Sequence, residues 1–265
     1  MYLLLISAAV ILYLFLIHPS GKRRKEAREF CRNSFAHRGL YGAGLENTLP
    51  AFENASTAGY GIELDVRLTK DGEVLVFHDE TLLRAAGRAD KIADLSFAEL
   101  KSIPLFGSEE TIPLLAEALE AADGAPLLVE IKGTFAVDEL CRKTADLLES
   151  YKGPVAVESF SPVAVRWFSK NRPQFLRGQL SSRFRDAEGR KVPLFQRVIV
   201  SSMVSNFLAK PDFIAYDVRN KNQLSFLLCR KLFRVPYLLW TVKGAGEGMI
   251  FEEGADVFRV FRLSV

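Results

Sequence analysis

Eight short apolar runs alternate with amphipathic stretches along this 265-residue chain, and that alternation limits the folds open to it more than any other feature. The runs are Ser34–Arg38, Ile62–Val66, Leu127–Ile131, Val155–Ser159, Leu176–Leu180, Phe213–Tyr216, Leu238–Val242 and Val257–Val260. Helical periodicity fills most of the intervals, as in Leu49–Ala58, Val137–Ser150, Pro162–Lys170 and Gln223–Phe233. A longer segment runs through Leu208, and a short helix is expected to end at Glu253. Strands that alternate with helices build a parallel sheet, and eight such units predict a closed (β/α)8 barrel, an α/β fold. One further run, Val74–Phe77, pairs back through Lys70-Asp71-Gly72, which predicts a β-hairpin inserted after the second strand. Phe97–Ser102 and Leu114–Ala122 read as helices before the third barrel strand. No linker between domains, low-complexity tract or repeat is evident, and the length suits a single barrel.

The first 17 residues, Met1–Ile17, carry no charged side chain and are rich in Leu, Ile, Val and Tyr. As a helix they reach roughly 25 Å, within the working range of a membrane span. His18-Pro19-Ser20-Gly21 ends the run, and Lys22-Arg23-Arg24-Lys25 follows at once. A cleaved signal would carry its charge before the apolar core and a small-residue site after it. The order here predicts an uncleaved transmembrane anchor over 1–21, a basic juxtamembrane linker over 22–33 and a barrel domain over 34–265. The positive-inside tendency then puts a single-pass protein's barrel in the cytoplasm. Cys31, Cys141 and Cys229 are scattered and odd in number, which fits a reducing compartment and argues against a disulfide framework.

Charge is uneven. Residues 29–160 carry 12 Lys/Arg against 23 Asp/Glu, and residues 161–265 carry 18 against eight. An acidic half suits a cation, and a basic half suits phosphate or an anionic surface. The basic residues show no nucleic-acid motif and no aromatic interleaving, so no nucleic-acid partner is expected.

The candidate chemistry lies within one stretch. Glu63 and Asp65 are two apart on a strand, so both side chains share one face, which in a barrel points inward. Two unpaired carboxylates there repel and resist desolvation, and a divalent cation such as Mg²⁺ or Ca²⁺ removes both costs. Glu130 and Lys132 repeat the spacing at the end of an apolar strand, where such barrels keep their chemistry. They offer a third carboxylate and a cation for a phosphate oxygen. His37 ends the first strand with Arg38 beside it, and His78 ends the hairpin arm with Asp79 beside it. Each histidine taken alone reads as structural; two bracketing Glu63 and Asp65 point to proton transfer.

Together, His37-Arg38-Gly39, Glu46-Asn47-Thr48, Glu63-Leu64-Asp65, Thr69-Lys70-Asp71-Gly72 and His78-Asp79 resemble the amino-terminal signature of the glycerophosphodiester phosphodiesterase family. Ser159-Phe160 and Trp240-Thr241 match later landmarks, so the resemblance runs from Phe35 to about Val242. It implies a metal-dependent barrel enzyme that hydrolyses glycerophosphodiesters to glycerol 3-phosphate and an alcohol. It implies His37 and His78 as acid and base, Glu63, Asp65 and Glu130 as metal ligands, and Arg38, Lys132 and Trp240 at the phosphate and substrate. Glu46, Asn47 and Asp79 would support them. The chain departs from the pattern at Leu45, commonly Pro, and at Val257–Phe261, which lacks the usual acid. Two rival functions stand beside this one. One is a membrane-associated lysophospholipase D or phospholipase acting on lipid diesters. The other is an inactive barrel serving as a membrane-bound binding module, against which the intact set of five catalytic and ligand residues speaks.

Overall fold

The computed structural model of the chain describes residues 1–41, 45–133, 137–184 and 192–243, together with the backbone of 250–254. Helices α1 (Tyr2–Ile17) and α2 (Arg24–Phe30) precede strand β1 (Ser34–His37), helix α3 (Leu49–Thr57) and strands β2 (Gly61–Leu68) and β3 (Val74–Val76). Short helices α4 (Leu83–Ala86) and α5 (Phe97–Leu100), then α6 (Leu115–Ala121), lead to β4 (Leu127–Ile131). Regular alternation follows: α7 (Asp138–Leu148), β5 (Val155–Ser159), α8 (Pro162–Asn171) and β6 (Leu176–Ser181). The remainder is α9 (Leu194–Ser201), α10 (Asn206–Ala209), β7 (Phe213–Asp217), α11 (Leu224–Lys231), β8 (Tyr237–Lys243) and β9 (Ile250–Gly254).

Local chemistry accounts for these elements. Thr48 is extended and Pro50 sits in the first turn of α3, where a missing N–H costs nothing. In α7 the buried residues Leu140, Cys141, Thr144, Ala145 and Leu148 recur at helical spacing and form one stripe against the sheet. The first six residues of β2 are all buried, as expected of a parallel strand covered on both faces.

Seven strands, β1, β2, β4, β5, β6, β7 and β8, pair in parallel in that order. The ring is closed by β9, which runs antiparallel to both β8 and β1. This corrects the expectation of eight parallel strands. Only six residues separate β8 from β9, too few for the dozen or more that a parallel crossover needs, so the chain returns antiparallel. The expected short helix ending at Glu253 is replaced by β9, and the expected strand Val257–Val260 lies outside the described residues. The hairpin holds: β3 pairs antiparallel with β2, Val66 opposite Val76. The segment beyond it gathers its own small core from Leu75, Phe77, Leu82, Ala85, Ile92, Leu100, Ile103 and Leu105.

Phe35, Leu128, Ala156, Leu176, Phe213, Ala215 and Leu238 fill the barrel interior together with Ala27, Phe30 and Cys31 of the α2 region. Phe30 stacks 5.0 Å from Phe35 and 6.3 Å from Phe213. Residues 22–33, expected as a basic linker, therefore contain a helix that plugs the amino-terminal mouth of the barrel. Gly178 makes room for this packing, since a Cβ there would stand 2.3 Å from the Phe213 ring.

The expected transmembrane helix is not supported. Helix α1 has 16 residues, and among the described residues no helix is long and apolar enough to cross a membrane. Its last turn belongs to the barrel: Ile17 is fully buried among Met203, Ile214, Tyr216, Phe226 and Cys229, with Tyr13 and Leu14 packed alongside.

Candidate active site

The parallel register places the carboxylates. His37 lies opposite Glu63, and Asp65 opposite Glu130, so four groups from three adjacent strands meet at the carboxyl-terminal ends of β1, β2 and β4. Glu63 and Asp65 are fully buried and Glu130 nearly so. One oxygen of each lies within 4.8 Å of the others.

Protein donors satisfy part of this cluster. The Arg38 backbone N–H donates to Glu63 Oε2 at 2.8 Å, and His37 Nδ1 stands 3.2 Å from the same oxygen. Asn47 Nδ2 donates to Asp65 Oδ2 at 2.8 Å. Lys132 Nζ spans Asp65 Oδ1 and Glu130 Oε2, 2.8 Å from each. Glu63 Oε1 has no hydrogen-bond partner although it is buried. A buried carboxylate oxygen without a donor is costly, and three clustered carboxylates facing one point fit a hard divalent cation.

The electrostatics follow. Burial works to raise Asp65, but Lys132, His78 and Arg38 outweigh it and hold the carboxyl well below its ordinary range. Glu130 goes the other way: burial, only partly offset by Lys132 and reinforced by the charges of Asp65 and Glu63, pushes it up to about 7. Burial depresses Lys132, yet Asp65 and Glu130 keep its ammonium above the usual value.

A second arm enters from the insertion. Phe77 N donates to Asp65 O at 2.9 Å, and both Nε and Nη2 of Arg67 donate to His78 O, at 3.1 and 2.7 Å. These bonds fix where β3 hands over to His78. His78 Nδ1 lies 2.6 Å from Asp79 Oδ1. Burial, with the Lys132 charge, presses the imidazole below its ordinary value. Arg84 of α4 then joins both halves of the site: its Nε donates to Asp79 Oδ2 at 2.7 Å and its Nη2 to Glu46 Oε1. Glu46 Oε1 also accepts from Arg38 Nη1 at 2.7 Å.

The loop carrying Arg38 needs unusual backbone. Arg38, Gly39 and Asn47 all have positive φ, and a Cβ at Gly39 would press within 2.9 Å of the Ala51 backbone. Thr48 Oγ1 donates to Leu45 O at 2.8 Å, which closes the loop where the family commonly has proline.

Relatives fit this geometry. The family model for the glycerophosphoryl diester phosphodiesterase family matches residues 37–215. The chain belongs to this family. Human lysophospholipase D GDPD1 is 34% identical over 152 residues, covering 52% of this chain and 48% of that protein. A glycerophosphodiester phosphodiesterase of Bacillus altitudinis is 50% identical over 93 residues, 32% of this chain and 38% of its own length. The match thus spans half or less of each of these two relatives. A phosphodiesterase of Oleispira antarctica, solved with the product sn-glycerol-3-phosphate, superposes with a TM-score of 0.66 at 25% identity, covering 82% of this chain and 87% of that one. The Thermotoga maritima glycerophosphodiester phosphodiesterase gives 0.60 at 27% identity, covering 86% and 89%.

Ten of the expected residues are joined by hydrogen bonds and ion pairs. His37, Arg38, Glu46, Asn47, Glu63, Asp65, His78, Asp79, Glu130 and Lys132 form one connected network. Trp240 of β8 is not bonded into that network; it packs against the barrel interior, its ring 5.8 Å from Phe160, which in turn lies 5.5 Å from Phe184. Sequence reasoning missed Arg67 and Arg84. Arg67 had a signal, being two residues beyond Asp65 on the same strand face. Arg84 had none, because its bonds span 38 residues to Glu46.

Proposed function

We propose that this chain is a metal-dependent phosphodiesterase that cleaves glycerophosphodiesters to glycerol 3-phosphate and an alcohol. The observation that carries the reading is the buried Glu63–Asp65–Glu130 cluster, in which Glu63 Oε1 has no hydrogen-bond partner, flanked by a histidine from the barrel and another from the insertion. Glu63, Asp65 and Glu130 would hold Mg²⁺ or Ca²⁺, which supplies Lewis-acid stabilisation of charge on the phosphoryl oxygens.

The remaining steps belong to the chain's own groups. Arg38 and Lys132 place two cations at the mouth of the carboxylate cluster, where they orient a phosphodiester and neutralise charge that grows in the transition state. His37 is turned by Glu63 and His78 by Asp79 through their Nδ1 atoms, so Nε2 is the proton-transfer atom of each. One imidazole takes the proton of the attacking hydroxyl group or water, and the other delivers a proton to the departing alkoxide. Asp79, held as a carboxylate by His78 and Arg84, keeps the His78 ring oriented and favours its protonated state when the proton arrives.

A second reading, lysophospholipase D action on lipid diesters, is favoured by the likeness to human lysophospholipase D GDPD1. It is also favoured by the exposed apolar residues Met1–Leu12, which we assign to membrane attachment at the cytoplasmic leaflet rather than to a full span. The inactive-barrel reading has no observation in its favour among the described residues.

The test is His37→Ala and His78→Ala in the full chain. Each should lose about 10²–10⁴-fold in kcat while still binding Ca²⁺ by calorimetry. Near-normal turnover in either variant refutes that histidine's role.

A further inference from the structure

Helix α1 can be oriented against the barrel residue by residue. Its carboxyl-terminal end sits at the amino-terminal face: Ser20 N donates to Pro211 O at 2.9 Å, just ahead of β7. Lys210 Nζ donates to His18 O at 3.3 Å, and the His18 ring lies 4.7 Å from Phe233, beyond the end of α11. Arg23 donates to Pro173 O and Gln174 O, immediately before β6. One turn earlier in α1 the contacts are at the opposite face. Tyr13 Oη donates to Ser202 O at 3.2 Å. Ser202 follows α9, whose Val200 O accepts from Ser181 Oγ at the end of β6. Ser201 O accepts from Gln223 and Ser225, which follow the end of β7. Helix α1 therefore climbs the barrel wall toward the catalytic mouth, and Met1–Leu12 extend past it by about 18 Å.

That free end is apolar on every side. Leu3, Leu4, Leu5 and Ile6, four consecutive positions that sweep a full helical turn, are each more than 60% exposed. A protein groove covers one stripe of a helix, whereas a helix apolar all round is matched by lipid. Helix α9, bonded to the same Ser181 and Tyr13 neighbourhood, exposes Leu194, Phe195, Val198 and Ile199. Arg197 of the same helix is partly exposed, and Arg183, two residues past the end of β6, is exposed. Basic and large apolar residues on one surface element suit an anionic bilayer. The Lys22–Lys25 run, by contrast, lies at the far end of the barrel.

We propose that the catalytic mouth faces a lipid bilayer, with the free end of α1 inserted from one side and the Leu194–Phe195–Val198 face of α9 seated on the same leaflet. The barrel then receives its diester from the membrane plane. This rests on the phosphodiesterase reading only for naming that mouth catalytic.

The test uses the full chain with vesicles of phosphatidylcholine and phosphatidylglycerol. Cys31, Cys141 and Cys229 are buried, so Leu5→Cys, Val198→Cys and Lys152→Cys each provide a site for a spin label. Lys152 precedes β5, at the amino-terminal face. Labels at 5 and 198 should become accessible to oxygen in the lipid phase while the label at 152 stays in water. Leu194→Glu with Val198→Glu should weaken vesicle binding by about tenfold or more and leave turnover of a soluble glycerophosphodiester unchanged. An aqueous label at 198 with a lipid-embedded label at 5 overturns the orientation. Aqueous labels at both sites, or burial of position 198 in a lipid-free dimer, overturn membrane seating altogether. Absence of turnover on every diester by the unmodified chain sinks the phosphodiesterase reading instead, and the spin-label result stands apart from it.

Discussion

Replacing Arg84 with methionine separates a positioning role from a merely structural one. Among the described residues, Arg84 ties Asp79, and through it His78, to Glu46, and through it Arg38. Methionine keeps the stem that packs near Phe106 and removes the guanidinium, which stands 5.5 Å from that ring. A hydrogen bond to a charged group contributes about 1.5–3 kcal/mol when buried. Arg84 is 46% exposed, so solvent screening lowers each of its two bonds to about 0.5–1 kcal/mol. The pair then amounts to about 1–2 kcal/mol, or a 5- to 30-fold loss in kcat if the bonds act by holding the two halves of the site in register. Asp79, released from one of the donors that depress it, should titrate at higher pH, so the acid limb of the kcat profile should move upward. The assay is steady-state kinetics on a soluble glycerophosphodiester across pH, beside thermal unfolding. Arg84→Lys should restore only part of the loss, because a point charge cannot serve both carboxylates as a planar fork does. Unchanged kcat and an unmoved acid limb, with the fold intact, would refute the clamp.

Other outcomes follow from the same geometry. Glu63→Gln should abolish Ca²⁺ binding in calorimetry yet raise the metal-free melting temperature by a few degrees, since it removes one of three clustered charges; a lower melting temperature contradicts the repulsion argument. Glu130, raised to about 7, is protonated in the folded chain and ionised in the unfolded one between its ordinary value and that point. Metal-free stability should therefore fall as pH rises across that window, and Glu130→Gln should flatten the trend in denaturant titrations. Gly178→Ala should destabilise the barrel by about 1–3 kcal/mol through collision with Phe213, read as a shift in urea midpoint.

Much of the barrel could be read before any coordinates. Runs such as Leu127–Ile131 and Val155–Ser159 are buried on both faces and carry a strand signal that depends on nothing distant. The shared face of Glu63 and Asp65 was likewise local, because strand pleat alone puts alternate side chains on one face, whereas Glu130 joins them through the β2–β4 register. What was not legible depended on contacts far along the chain. Closure by β9 rests on the backbone of β1 more than 200 residues earlier, and hydrophobic pattern does not separate a parallel from an antiparallel closing strand. The α2 plug looked like a basic linker because only Ala27, Phe30 and Cys31 turn inward while its charges face water. Met1–Ile17 had the composition of a span, but composition does not show that Ile17 and Tyr13 are committed to the barrel wall.

The most direct test of the central claim is ³¹P NMR of the purified full chain incubated with a soluble glycerophosphodiester. It is run before and after exhaustive chelation, and again with Mg²⁺ or Ca²⁺ restored. The account predicts a glycerol 3-phosphate resonance that disappears on chelation and returns with the cation. Undiminished product formation in chelator would contradict it, as would the absence of glycerol 3-phosphate with either cation present.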